Sequence, residues 1–352
     1  MNSILTRAKK PFYKRKGFWW PVGIILFLII GVLISFKVSP WPGAMVVRLV
    51  FSAGDQKTFA ALERHVPDKE ISVISNQAYR PNDSDAMLDV YSAPSIKPGQ
   101  KLPTVIWTHG GAWISGGKDT KASYFKLLAS MGVTVVGLNY SLAPEKKYPT
   151  AVQQLNDAHK YIKDNAERFR VDTDRIFLAG DSAGSQLSSQ LAAIITNTKY
   201  AKEMGITPAL KPKELRGTIL FCGIYKMEGL VHPAPELPKI IGWGDDVAVW
   251  AYTGSRDFSN PSIRQMSAFY QVTKDFPPTY ISGGNGDPLT DAQSKPFADE
   301  LKNKKVDVTT KFFEADHQPS LPHEYQFNLD NQDGQDALKE TIEFVQKHSQ
   351  GS

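Results

Sequence analysis

Ser182 stands in Gly180-Asp181-Ser182-Ala183-Gly184, between an apolar run at 176–179 and a helical pattern with Leu187, Leu191 and Ile194 or Ile195 on one face. Strand, Gly-x-Ser-x-Gly and helix in that order are the context of a nucleophile elbow, a turn that lifts a serine hydroxyl above a sheet. Glycines at 180 and 184 remove the Cβ atoms that would block so tight a turn. The hydroxyl then lies at the positive end of the following helix. The pentapeptide is a weak signal by itself in a chain with 26 glycines. Its weight depends on whether the chain also supplies a base, an acid and donors for an oxyanion.

Acyl transfer by serine needs a base beside Oγ and a carboxylate that orients the base and stabilises its charged form. In sheets of this kind the order is serine, acid, histidine, each in a loop after a strand. The loop Gly283-Gly-Asn-Gly-Asp-Pro-Leu-Thr-Asp291 follows a strand pattern, and Asp287 is the expected acid. Glu314-Ala-Asp-His-Gln-Pro319 follows the last strand pattern, and His317 is the expected base. Asp291 is a rival acid but suits a helix cap. Asp316 adjoins His317 too closely to orient it, and His323 is the lesser rival for the base. The oxyanion hole is expected from the amide of Ala183 and from Gly110 and Gly111 in His109-Gly-Gly-Ala-Trp113, where glycine lets backbone approach substrate. His109 reads as a hydrogen-bonding residue of that loop. Trp113 and Trp243 are expected as pocket walls.

The elements that must hold these residues alternate. Strand patterns fall at 87–91, 104–108, 133–138, 176–179, 217–221, 278–282 and 306–313; helical ones fall at 124–130, 149–169, 291–304 and 336–347. Apolar strands alternating with helices predict an α/β fold with a mostly parallel sheet covered on both faces. The stretch 222–276 breaks the rhythm and is rich in Pro, Gly and Trp, as a cap insert would be. Residues 39–85 read as a connector with short helices at 45–51 and 58–65.

The net charge is +5 over 352 residues, with six cations and no acid within 1–16, so the rest carries −1. That distribution excludes a basic nucleic-acid surface. The cations precede 18–36, which contains no charge. With Lys37 snorkelling, the segment 17–38 is long enough to cross a hydrocarbon core of about 30 Å, with Trp19, Trp20 and Trp41 at its ends. Cations on the N-terminal side alone predict a cytoplasmic N-terminus and a catalytic domain on the far side. A cleaved signal peptide is the competing reading, though no A-x-A site occurs. The single cysteine, Cys222, excludes an intrachain disulfide and a lipoprotein signal. Gly116-Gly-Lys118 lacks both ends of a phosphate-binding loop, and the histidines and carboxylates show no metal-ligand spacing.

The chain thus divides into a basic segment at 1–16, an anchor at 17–38, the connector at 39–85 and a catalytic domain at 86–349. Residues about 85–325 resemble the α/β-hydrolase carboxylesterases of the hormone-sensitive-lipase-like and BD-FAE-like group. The resemblance rests on His109-Gly-Gly-Ala-Trp113, Asn139-Tyr-Ser-Leu-Ala-Pro-Glu-Lys-Lys-Tyr-Pro149, Gly180-Asp-Ser-Ala-Gly184 and Asp287-Pro-Leu. It implies a triad at Ser182, Asp287 and His317, an oxyanion hole at Gly110, Gly111 and Ala183, and hydrolysis of short-to-medium acyl esters without a cofactor or metal. Two departures stand out: Ala112 replaces the usual third glycine, and Ser141 replaces an arginine, removing an expected ion pair. The expected function is a membrane-anchored serine esterase. Amide, peptide or formamide hydrolysis by the same triad is the alternative, and a catalytically inactive binding protein is a third reading.

Overall fold

The computed structural model describes residues 19–93, 99–231 and 239–350; the basic segment 1–16 lies outside them. The first helix, α1 (Trp19–Val38), is apolar all round and buries none of its residues. After a two-residue break, α2 runs over Trp41–Glu63. Two short helices were expected here. Nothing between 52 and 57 is a proline, and Gly54 costs only about 1 kcal/mol in a helix, so one continuous helix forms.

The catalytic domain is one eight-stranded sheet in the order β1-β2-β4-β3-β5-β6-β7-β8. The strands are β1 (Ser72–Ala78), β2 (Met87–Ser92), β3 (Leu102–Thr108), β4 (Thr134–Leu138), β5 (Val171–Asp181), β6 (Leu215–Phe221), β7 (Thr279–Ser282) and β8 (Val308–Lys311). β1 and β2 are antiparallel to their neighbours and the other pairings are parallel. The sheet therefore begins inside the expected connector 39–85, at a strand whose residues are half-buried or exposed. Helices α3 (Ala122–Ser130), α4 (Thr150–Asp164), α5 (Ala183–Thr196), α6 (Thr198–Glu203), α7 (Glu228–Val231), α8 (Lys239–Thr253), α9 (Pro261–Met266), α10 (Lys295–Asn303) and α11 (Gln332–Ser349) complete the domain.

The pleat sorts the core into two layers, because successive strand residues face opposite ways. Val105 and Trp107 of β3 pack with Phe125 of α3 and with Val345 of α11. Ile106, between them, packs in the other layer with Leu155 of α4, Leu187 of α5 and Leu301 of α10. α2 lies across the carboxyl end of the sheet. Arg48 donates to the Ile114 and Ala143 carbonyls and forms a bidentate ion pair with Glu145. Gly43 lies against Val247 and Trp243 of α8, where a Cβ would come within 3.0 Å of Val247.

The missing arginine at 141 is replaced by a hydrogen-bonded cluster. Ser141 Oγ donates to Asp85 at 2.7 Å, and Gln154 Nε2 donates to Asp83 and to Ser141 Oγ. The backbone amide of Ser141 donates to Gln154 Oε1, so the side chain of α4 is satisfied at both ends.

Candidate active site

Ser182 sits between β5 and α5 with φ 51° and ψ −118°, a strained conformation for a residue with a side chain. Its amide donates to the Phe221 carbonyl at 2.9 Å, and Ser185 Oγ donates to the carbonyls of Gly180 and Phe221. These bonds hold the turn from below. A Cβ on Gly184 would strike the Thr108 carbonyl, and one on Gly180 would strike the backbone of Gly184. Ser182 itself is 9% exposed.

Asp287 lies in the loop after β7 and is 4% exposed. Its Oδ1 accepts the Leu289 amide at 2.9 Å, and its Oδ2 is 2.9 Å from Nδ1 of His323. The histidine on Asp287 is thus His323, which corrects the expectation for His317. His317 Nε2 lies 3.0 Å from Asp333 Oδ2, at the start of α11, and its ring packs on Phe313. The cause is the course of the loop after β8. Asn285 holds its two limbs together, donating to the His317 carbonyl and accepting the Leu321 amide. Gly286 donates to the Leu321 carbonyl. The chain therefore returns to the Asp287 loop at 321–323, and the histidine nearest the strand is left outside. Asp291 is exposed and pairs with Lys295.

Burial opposes charge on His323, but Cys222 and Asp287 beside it hold the imidazolium well above the ordinary histidine range. Burial pushes the Cys222 thiol up to about 11. The thiol is therefore neutral near pH 7, and Asp287 supplies the attraction there. Cys222, Asp287 and His323 place their polar atoms within 4.8 Å of one another.

The oxyanion loop needs a second correction. Gly110 donates its amide to Asp181 Oδ2 at 2.9 Å, so that donor is already committed. The loop still reaches Ser182, since a Cβ on Gly110 would lie 3.1 Å from Ser182 Cβ. The next residues turn sharply, with φ 95° at Gly111, 51° at Ala112 and 60° at Trp113. The carbonyl of Gly111 accepts the amides of Ile114 and Ser115. His109 is buried, stacks on Tyr140 and meets its neighbour's carbonyl, Gly110 O, through Nδ1 at 2.8 Å. Burial lowers its pKa to about 4, so it is a neutral structural residue.

The expected pocket walls lie elsewhere. Trp113 is fully buried, stacks on Tyr252 of α8 and donates to Gln186 Oε1 of α5, so it braces the oxyanion loop from the core side. Trp243 lines a separate cavity of about 330 Å³ with Asp246, Val247, Trp250, Arg256 and Phe258.

One cluster escaped the sequence reading. Asp181 accepts Trp107 Nε1 at 2.7 Å as well as the Gly110 amide. Lys121 Nζ lies 3.0 Å from Glu324 Oε2 and 3.8 Å from Asp55 of α2. Burial pushes Asp181 up to about 7, against the attraction of Lys121. Glu324 is held down at about 2: burial raises it, and Lys121 and His323 more than offset that. Glu324 thus carries the negative charge that Lys121 neutralises. The signal available in the sequence was only that Asp181 and Glu324 adjoin Ser182 and His323; nothing marked Lys121.

A strained serine between a parallel strand and a helix, with a carboxylate–imidazole pair in the loops after the last two strands, defines an α/β hydrolase. The chain belongs to that family: the family model described as alpha/beta hydrolase fold matches residues 105–319. An alpha/beta hydrolase of Acanthamoeba polyphaga mimivirus is 39% identical over 95 residues, which are 27% of this chain and 28% of the viral protein's length. Among solved structures, an inhibited esterase B from Lactobacillus rhamnosis is similar at a TM-score of 0.75 and 22% identity, covering 88% of this chain and 96% of that one. The Pyrobaculum calidifontis esterase matches at 0.68 and 20%, covering 93% and 99%. The thermostable carboxylesterase EstE1, from a metagenomic library, matches at 0.65 and 22%, covering 90% and 100%.

Proposed function

We propose that this chain is a serine hydrolase of carboxylic esters in which Ser182 is the nucleophile, His323 the general base and Asp287 the carboxylate that orients it. The observation that carries this reading is the His323 Nδ1–Asp287 Oδ2 contact of 2.9 Å. A proton on Nδ1 leaves Nε2 free to take the Ser182 proton as Oγ attacks the acyl carbonyl. The histidine then returns that proton to the leaving alkoxide. Water, activated the same way, releases the acyl group. The developing oxyanion is met by the amides of Ala183 and Gly111, with Ala112 next in the same turn. These steps use only side chains and backbone of this chain. The similar structures are esterases, which supports an ester as the substrate.

α1 serves in this reading as a single-pass anchor. It has 20 residues, with a mean hydropathy of 2.5 over its most apolar 18, none of which is buried. At 1.5 Å per residue it spans about 30 Å, the thickness of a hydrocarbon core. The six cations within 1–16 support a cytoplasmic N-terminus and a catalytic domain on the far side in this reading.

The test is labelling of the full chain by a fluorophosphonate, together with turnover of p-nitrophenyl butyrate. Wild type takes up one label and turns over the ester; Ser182→Ala does neither. Undiminished turnover by Ser182→Ala would refute the assignment. Protease accessibility of the catalytic domain in intact cells tests the orientation.

A further inference from the structure

α2 is apolar on two sides. Its inner face packs Ala44, Val47 and Leu62 into the domain. Its outer face carries Val46, Leu49 and Val50 at helical spacing, exposed by 44%, 74% and 62%. The cation of this stretch, Arg48, is turned inward to Glu145, so the outer stripe from 46 to 50 is uncharged.

Two contacts fix how α8 runs beside α2. Arg256, just past the end of α8, donates to the carbonyls of Phe36 and Lys37, the last turn of α1. Val247, earlier in α8, lies on Gly43 of α2. The two helices are therefore antiparallel. Seven residues back from Val247 along α8 is Ile240, and seven residues on from Gly43 along α2 is Val50. Each stands about 10 Å along its own helix from that contact. Ile240 and Ile241 are exposed by 69% and 42%. Val46, Leu49 and Val50 of α2, with Ile240 of the neighbouring α8, leave an exposed apolar rim, reached from α1 through two residues and a guanidinium clamp.

We infer that this rim of α2 and α8 seats on the lipid bilayer that α1 crosses, holding both helices in the membrane interface. The inference rests on the reading of α1 as a membrane span. Lipid is the occupant because the rim is continuous in the chain with a helix whose whole surface is apolar and exposed. An uncharged helical face of this kind lies at the boundary of headgroups and acyl chains. Trp41, exposed at the junction, suits the same depth. The functional consequence follows from what lies beneath. Arg48 and Ser52 of α2 touch Ile114 and Ser115, the residues after the oxyanion turn. A rim seated on lipid would hold the segment that carries Ile114 and Ser115 close to the bilayer, which favours bilayer-dissolved esters as substrates.

The test uses the full chain in phosphatidylcholine vesicles, with an environment-sensitive fluorophore attached through Leu49→Cys, Val50→Cys, Gly31→Cys or Lys160→Cys. The native Cys222 is fully buried, and unsubstituted protein serves as the labelling blank. Lipids brominated near the headgroup should quench the probes at 49 and 50 roughly twofold, as expected for a face 5–10 Å into the interface, and leave the probe at 160 untouched. A probe at 31 quenched by deep bromines, with those at 49 and 50 as wet as that at 160, would overturn the seating while leaving the anchor standing. Probes at 49 and 50 that are dry but unquenched would mean a protein surface, such as a second copy, covers the rim, which also overturns it. An unquenched probe at 31 removes the anchor and the inference with it. In activity, Leu49→Glu combined with Val50→Glu should lower hydrolysis of a vesicle-borne long-chain ester severalfold and leave that of p-nitrophenyl acetate within twofold; an equal loss on both esters would contradict lipid seating.

Discussion

Lys121 and Glu324 meet at 3.0 Å in a partly buried site between the Ser182 turn and the His323 loop. Glu324 follows His323 in the chain, in a left-handed conformation with φ 61°. Lys121 also draws on Asp181, the residue before Ser182, whose carboxylate holds the Gly110 amide. One ammonium group therefore sits between the elbow, the oxyanion loop and the histidine loop. Its nearest further partner is Asp55 of α2, at 3.8 Å.

Lys121→Met leaves Asp181 and Glu324 facing each other without a cation. Breaking a buried ion pair in this way costs about 3–5 kcal/mol. The histidine loop and the oxyanion loop should both shift, and a misplacement of about 1 Å costs on the order of a hundredfold in rate. Steady-state kinetics at a temperature where the variant stays folded should show kcat reduced about ten- to hundredfold with KM within about threefold. Unchanged kcat in a destabilised protein would make the cluster purely structural.

The pH profile follows from the direction of the His323 shift. A general base acts only when unprotonated, so kcat/KM falls as pH drops through its pKa. Asp287 raises that pKa, and the acid limb should therefore lie above the ordinary histidine value of about 6.5. Asp287→Asn removes the attraction, and its residual activity should lose its acid limb at a lower pH. The stability term runs the other way. A group raised in the folded state contributes stability that is present in full below its unfolded pKa and is lost as pH rises through the folded value. Thermal unfolding between pH 6 and 9 on wild type and His323→Gln reads this difference.

Gly184→Ala places a methyl group against the Thr108 carbonyl. Overpacking of this kind costs about 1–3 kcal/mol, and the backbone shift falls two positions after Ser182. Denaturant unfolding should show the loss of stability, and fluorophosphonate labelling should slow with it. Gly205→Ala, where nothing lies within 4 Å but φ is +62°, is the control that strains backbone far from the site.

Much of the fold was legible in the sequence because its strands are buried on both faces, which leaves continuous apolar runs such as those of β3, β4 and β5. β1 was not legible: in Ser-Val-Ile-Ser-Asn-Gln-Ala only part of one face is covered, so no apolar run marks it. α2 read as two pieces because Ser52, Gly54 and Asp55 weaken local propensity, whereas packing across the domain decides the helix. At the site, the elbow and Asp287 have local signatures: glycines at positions where a Cβ would collide, and a short loop after a strand. The choice between His317 and His323 has none. It is made by Asn285 and Gly286, which bind the far limb of a loop more than thirty residues on. Lys121 likewise reaches Glu324 across 203 residues, a separation that no motif records.

The most direct test of the base is kcat/KM for p-nitrophenyl butyrate in His323→Ala and His317→Ala, measured beside wild type at a pH where wild type is fully active. His323→Ala should lose a factor on the order of a thousand or more, while His317→Ala, which gives up a pairing with Asp333, stays within about threefold. The reverse pattern, with His323→Ala active and His317→Ala dead, would contradict the triad read from the contact between His323 and Asp287.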